Sequence, residues 1–353
     1  MKKRHCIIGI AFLALAGLAT AADSALPDPD GKPADMSKPV QVFIVMGQSN
    51  TLEMGKVGPA DKEGSLEHAV KEKNLYPFLV DDAGNWTTRQ DVRNVSVMQK
   101  RGNMGVYRND WLTISGGKIG IEIGIGQQLG HAVEAPVMVL KSSIGNRGLG
   151  WDLLPPGSES WEYEDPKSGK TYVYAGYKES PNRWEKGTTP EPIGWYAGKQ
   201  YDDDVGNAKK VLAELDKYYP GAKGYEVAGF VWWQGDKDMR DPAYYNTYEK
   251  HLVQLIKALR KDFDAPKAPF VTASLGQTEE GDTESGHGVI MQAMKNVASG
   301  KYSSELGENI GFVYTHPLLG GPGSSSGHYS GNAETYMNVG LAMGEKMAEL
   351  LKK

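Results

Sequence analysis

Short apolar runs alternate along the chain with longer amphipathic stretches. Residues 40–46 (VQVFIVM), "PVMVLKSS" from Pro136, "YEVAGFVWWQG" from Tyr225, "PFVTASLG" from Pro269 and "IGFVYTHP" from Ile310 predict five strands. Helical spacing appears between them. A helix is expected near residues 123–133, and a second in "DDDVGNAKKVLAELDKYY", where Val205, Ala208, Val211, Leu212 and Leu215 recur on one face. "YNTYEKHLVQLIKALRKDF" and the closing "ETYMNVGLAMGEKMAELLKK" predict two more. Buried-type strands separated by helices imply an α/β fold with a parallel sheet covered on both faces. Ligands of such sheets bind beyond the carboxyl ends of the strands, so chemistry is sought just after each run.

One segment breaks the rhythm. Residues 149–196 are rich in Trp, Tyr and Pro and predict a long ordered insertion with a hairpin around "SGKTYVY". Its aromatic rings suit packing on the body, or stacking on sugar rings. The N-terminus "MKKRHCIIGIAFLALAGLATAADS" has a basic start, an apolar stretch and small residues, the layout of a cleaved signal peptide over 1–22. A retained anchor is the alternative. A Pro- and Asp-rich leader is expected over 23–39, followed by the main domain over 40–353.

Cys6, the one cysteine of the 353 residues, would leave with the signal. The mature chain would then have no disulfide, thiol nucleophile or thiolate metal site. Net charge is −5 and no Lys/Arg block follows the first four residues, so neither nucleic acid nor an anionic membrane is expected as a partner. The remaining histidines, His68, His131, His251 and His287, show no ligand spacing, and neither metal nor cofactor is implied. Glu122, in the weak glycine pattern "GIEIGIGQQLG", is read as structural.

The strand ends carry Gly47-Gln48-Ser49-Asn50, then Ser142 to Gly148, then Gln234-Gly235-Asp236-Lys237-Asp238, and last "THPLLGGPGSSSGHYSG" with His316 and His328. Acyl transfer needs a nucleophile, a base, a group that orients the base, and donors for the oxyanion. Ser49, the histidines, the acids, Gly145 and Gln234 can fill those roles. Ser49 could instead cap a helix, and Asp236 and Asp238 could be solvated turn charges. Thr51 stands where G-x-S-x-G needs its last glycine, which disfavours the usual α/β-hydrolase elbow.

GQSN after the first strand, "KSSIGNRGL" after the second, "GFVWWQGDKD" after the third and the late "GHYSGNAETYMNVGLAMG" resemble the sialate O-acetylesterase-like branch of the SGNH hydrolases, a carbohydrate esterase family. The resemblance runs from about Val40 to Leu351. It implies a three-layer α/β/α sandwich with a flavodoxin-like parallel sheet, and metal-independent deacetylation of sugars. By the same resemblance Ser49 is the nucleophile and His328 the base. The N–H groups of Ser49 and Gly145 and the side chain of Gln234 form the oxyanion hole, and Asn146, Arg147 and Trp151 face the substrate. Three positions depart from the family pattern. Ser325 stands where many relatives have an aspartate, Asp236 where others have glutamate, and Asn146 where a second glycine is common. Asp236 or Asp238 is therefore expected to orient His328.

The sequence thus points to an exported serine esterase, periplasmic or secreted, that deacetylates a carbohydrate through an acetyl-enzyme. The rivals are a sugar-binding protein on a decayed hydrolase scaffold and a lipase or thioesterase of the same fold.

Overall fold

A computed structural model describes residues 33–353 except 322, 324 and 325. The expected signal segment, most of the leader and Ser325 lie outside the described residues. Among those described, no helix is long and apolar enough to cross a membrane.

The five expected strands are present as β1 (Val40–Gly47), β4 (Val137–Ser142), β5 (Tyr225–Trp233), β6 (Phe270–Ala273) and β7 (Ile310–Val313). They pair in parallel in the order β7-β6-β5-β1-β4, the flavodoxin arrangement. A hairpin of two long strands, β2 (Thr88–Lys100) and β3 (Asn103–Thr113), extends the sheet beyond β4. β2 runs parallel to β4 and β3 antiparallel to β2, so the seven-stranded sheet is mixed at one edge.

Side chains of β1 alternate between two cores, as the pleat requires. Val42, Ile44 and Met46 face one side with helices α2 (Lys199–Ala213), α3 (Tyr248–Asp262) and α4 (Gly286–Ala298). Phe43 and Val45 face the other with α1 (Glu122–Ala132) and α5 (Ala333–Leu351). The result is a three-layer α/β/α sandwich. Helices α1 and α5 press together through glycines: a Cβ on Gly124 would meet the Leu341 nitrogen at 2.4 Å, and one on Gly340 the Ile121 oxygen at 2.4 Å. The expected helix over 202–219 starts earlier and breaks at Glu214, leaving Leu215–Tyr218 as a separate turn.

The insertion forms a three-stranded antiparallel sheet of Trp161–Glu164, Thr171–Tyr174 and Arg183–Glu185, with the expected hairpin at its first turn. Its aromatics mostly pack. Trp161 stacks on Tyr174 with centroids 5.3 Å apart and meets His251 of α3 edge-on at 4.8 Å.

Candidate active site

The chain switches sides of the sheet between β1 and β5, and the ends of these two strands meet tightly. Gly47 has φ +151°, and a Cβ there would stand 2.3 Å from the Trp233 carbonyl oxygen. Only glycine lets β1 end so close to β5. A short 3₁₀ turn, Ser49–Thr51, follows. Gln48 occupies its cap position and makes no side-chain capping bond, so Ser49 is not the helix cap that the local pattern allowed.

The turn is cross-linked on both sides. The Thr51 hydroxyl donates to the Gln48 carbonyl at 2.7 Å and lies 2.6 Å from the Ser143 hydroxyl at the end of β4. The buried Gln48 side chain accepts from Gln234 Nε2 at 3.0 Å and from the Lys237 N–H at 3.3 Å, beyond β5. Among the described residues, Ser49 Oγ has one partner, His328 Nε2, at 2.7 Å.

His328 is exposed, and its loop, Gly327–Gly331, has an unusual backbone. Residues 328, 329 and 330 all have φ near +50°, a left-handed run that costs L-residues roughly 1–2 kcal/mol each. The ring of Tyr329 opposes that cost. It is fully buried, stacks on Trp233 at 5.7 Å and 9°, and its oxygen accepts from the Asn50 amide at 3.3 Å and the Gly276 N–H at 3.2 Å. The competing histidine, His316, instead has its Nδ1 2.7 Å from the Gly276 carbonyl oxygen.

Gly145 backs onto the serine, where a Cβ would contact Ser49 Cβ at 3.4 Å. Among the described residues, the backbone N–H groups of Ser49 and Gly145 have no hydrogen-bond partner. Gln234 is placed differently from expectation. Its fully buried Nε2 faces three acceptors, Gln48 Oε1 at 3.0 Å, the Arg147 carbonyl at 3.0 Å and Asp238 Oδ2 at 2.5 Å. An NH₂ group has two hydrogens, so none remains for an oxyanion.

Neither expected acid is brought to His328. Asp236 is a surface charge, 2.8 Å from Arg240. Asp238 is fully buried and accepts from the N–H groups of Leu149 at 2.8 Å and Gly150 at 2.7 Å. Burial pushes its carboxyl up to about 6, against the pull of those hydrogen bonds. Beside it Asp152 takes the Gly148 N–H at 3.0 Å, and burial raises that carboxyl too. Among the described residues, no group hydrogen-bonds His328 Nδ1.

Of the expected substrate contacts, Asn146 is exposed with φ +59°. Arg147 lies half-buried over the Trp195 ring at 5.0 Å, with Nε donating to Gln200 at 3.1 Å. Trp151 packs on Leu154, Ala175 and Ala197 inside the insertion. A cavity of about 310 Å³, lined by Lys56, Lys62, Glu63, Ser65, Ser330 and Asn332, adjoins the His328 loop. Glu122 is buried against Lys141 at 2.8 Å and accepts from the Gly120 N–H, a structural role.

Sequence reasoning did not give Tyr329, Gln48 or Thr51 an anchoring role. Their signal was adjacency to His328 and Ser49, but whether a tyrosine in a Gly/Ser-rich loop turns inward depends on Trp233, which lies far away in the chain.

A family model described as "SASA: Carbohydrate esterase, sialic acid-specific acetylesterase" matches residues 177–348, the part that holds Gln234, Asp238 and His328 but not Ser49 or Gly145. The resemblance seen in the four motifs is therefore matched independently over that part. No curated protein sequence matches. Among solved structures, the chain is similar to a carbohydrate acetylesterase from Xanthomonas citri, with 12% identity and a TM-score of 0.51, over 88% of this chain and 56% of that one. A protein from Arabidopsis thaliana shows 14% identity over 88% and 99% of the two chains, with a TM-score of 0.47. NanS shows 16% identity over 80% and 79%, with a TM-score of 0.42. At such identity the Xanthomonas structure speaks for a shared α/β fold.

Proposed function

With similarity to the carbohydrate acetylesterases as the premise, we propose that this protein is a serine esterase that removes O-acetyl groups from a carbohydrate. The observation that carries this reading is the 2.7 Å contact between His328 Nε2 and Ser49 Oγ. A base within hydrogen-bond reach is what a serine hydroxyl needs to become a nucleophile. Ser49 Oγ attacks the acetyl carbonyl while His328 Nε2 takes its proton. The carbonyl oxygen becomes an oxyanion facing the free N–H groups of Ser49 and Gly145. Collapse breaks the bond to the sugar oxygen, which leaves with the proton from His328. Water, deprotonated by the same imidazole, then attacks the acetyl-serine and releases acetate.

His328 acts in this scheme as one half of a dyad. Asp236 is engaged with Arg240 and Asp238 with backbone N–H groups, so neither holds the imidazole. Asn146 and Arg147, on the loop that carries Gly145, are the proposed contacts to the sugar. Trp151 packs against Leu154, Ala175 and Ala197 of the insertion. We also propose export, because the first 22 residues have the composition of a cleaved signal; the enzyme would then be found in the periplasm or medium and not in the cytosol.

Acetate release from acetylated sialic acids, xylans and other glycans, set beside a long-chain ester, tests the reading. Ser49→Ala should lose roughly four to six orders of magnitude in kcat with the fold retained. Wild-type-like turnover in that variant rules out the serine mechanism. Preference for the long-chain ester would make the protein a lipase-type hydrolase, and binding without hydrolysis a lectin-like one.

A further inference from the structure

Three successive N–H groups, those of Gly148, Leu149 and Gly150, point into the protein, each to a buried carboxylate. Buried backbone donors need acceptors, and each unmet one is costly. Asp238 supplies two of the three, one from each oxygen, while its Oδ2 also receives the Gln234 amide. Gln234 in turn reaches the Arg147 carbonyl and Gln48, the residue before Ser49, and its Oε1 accepts from Tyr248 at 2.8 Å. One buried pair therefore touches both segments whose N–H groups face the developing oxyanion.

We propose that Asp238 is a positioning residue: through Leu149, Gly150 and Gln234 it fixes the 145–150 loop, and with it the Gly145 N–H, in register with the Ser49 turn. This rests on the reading that Gly145 and Ser49 hold the oxyanion. Asp238 acts on the reaction only through the loop and does not touch the substrate. Its need for two acceptor oxygens explains why an acid is buried here at all. An asparagine offers one oxygen, and its NH₂ would face the NH₂ of Gln234.

The lock is tied to protonation. The titratable groups that face Asp238 are Asp152 from the loop side and Tyr244 and Tyr248 from the segments packed against it, while Arg147 and Lys237 act on Asp152. With its carboxyl pushed up to about 6 in the locked loop, Asp238 binds a proton more readily there than in an opened, solvated loop, so acidification favours the locked state.

The test uses the full-length protein, the Asp238→Asn variant and p-nitrophenyl acetate as probe. Amide exchange over 145–150 should accelerate about tenfold in the variant. Counted per folded, titrated active site, kcat should fall about 10- to 100-fold with KM changed little, as expected when a donor is misplaced by a fraction of an ångström. In wild type, loop exchange corrected for intrinsic chemistry should slow as pH falls from 7 to 5 while the fold persists, and the variant should lack this slowing. A purely structural role would lower the folded fraction and leave kcat per folded site unchanged; that result, or unchanged loop exchange, overturns the proposal. If Asp238→Asn does not fold, the wild-type exchange series decides alone, and a flat series sinks the idea. Loop exchange does not depend on ester hydrolysis, so an active Ser49→Ala enzyme would refute the serine mechanism without touching this result.

Discussion

The two halves of the candidate site are built in opposite ways. Ser49 stands on a turn tied into the ends of β1, β4 and β5 by buried polar contacts through Gln48, Thr51, Ser143, Gln234 and Asp238. His328 stands on an exposed loop with a left-handed backbone, and one inward-facing ring, Tyr329, keeps it in place. The nucleophile is part of the sheet, whereas the base is hung beside it. Changes on the first side should therefore strike fold and activity together, and changes on the second should strike activity with a milder effect on stability.

The strongest way to break this contrast is Gly47→Ala. The added methyl would press into the Trp233 carbonyl at a φ that alanine disfavours, so a loss of about 4 kcal/mol and of nearly all activity is expected. Denaturant melts and acetate release check it, and a stable, active variant would show that β1 is not rigidly seated. Next comes the charge buried on the same side. The Asp238 carboxyl is pushed from 3.8 up to about 6, so the folded state keeps a proton that the unfolded chain releases between those values. Its contribution is fully present below pH 3.8 and is lost as pH rises through 6. Relative to Asp238→Asn, wild type should therefore lose between about 2 and 3 kcal/mol of unfolding free energy from pH 4 to pH 7. Urea titrations of both proteins at the two pH values measure this difference. The smallest effect is expected on the base side. Tyr329→Phe leaves the Gly276 N–H and the Asn50 amide without their acceptor, costing about 2 kcal/mol, and lowers kcat several-fold by loosening His328. A drop in KM-driven affinity with kcat intact would place Tyr329 outside the control of the base.

What the sequence disclosed follows the same divide. The five strands and their terminal residues were legible because β1, β4, β6, β7 and the last five residues of β5 are largely buried on both faces and read as mostly apolar runs. The β2–β3 hairpin was not. Its strands interleave Arg, Asn, Asp and Gln with valines, and Arg93 is buried only because the Tyr218 and Asn109 carbonyls receive it. Helix α4 was hidden by its opening Gly-His-Gly, whose cap comes from Ser285. At the site, the proximity of Ser49 and His328 follows from fold-level pattern. The partners of Asp236, Asp238 and Gln234 do not, since an acid two residues from another can face solvent or the core according to a turn that only the packed 145–150 loop defines.

The contact between Ser49 and His328 joins residues 279 positions apart. A chain made from its N-terminus presents the serine turn early, and β5 with Gln234 later, but His328 comes only after β7, the strand that completes the sheet. Contacts of such long range form late, after much loop entropy has been overcome. On the proposed chemistry, a growing or truncated polypeptide therefore carries a serine without its base and is chemically silent. Hydrolytic competence would switch on in a single step once the His328 loop docks, so the appearance of activity would report a completed sheet and not a partly folded one.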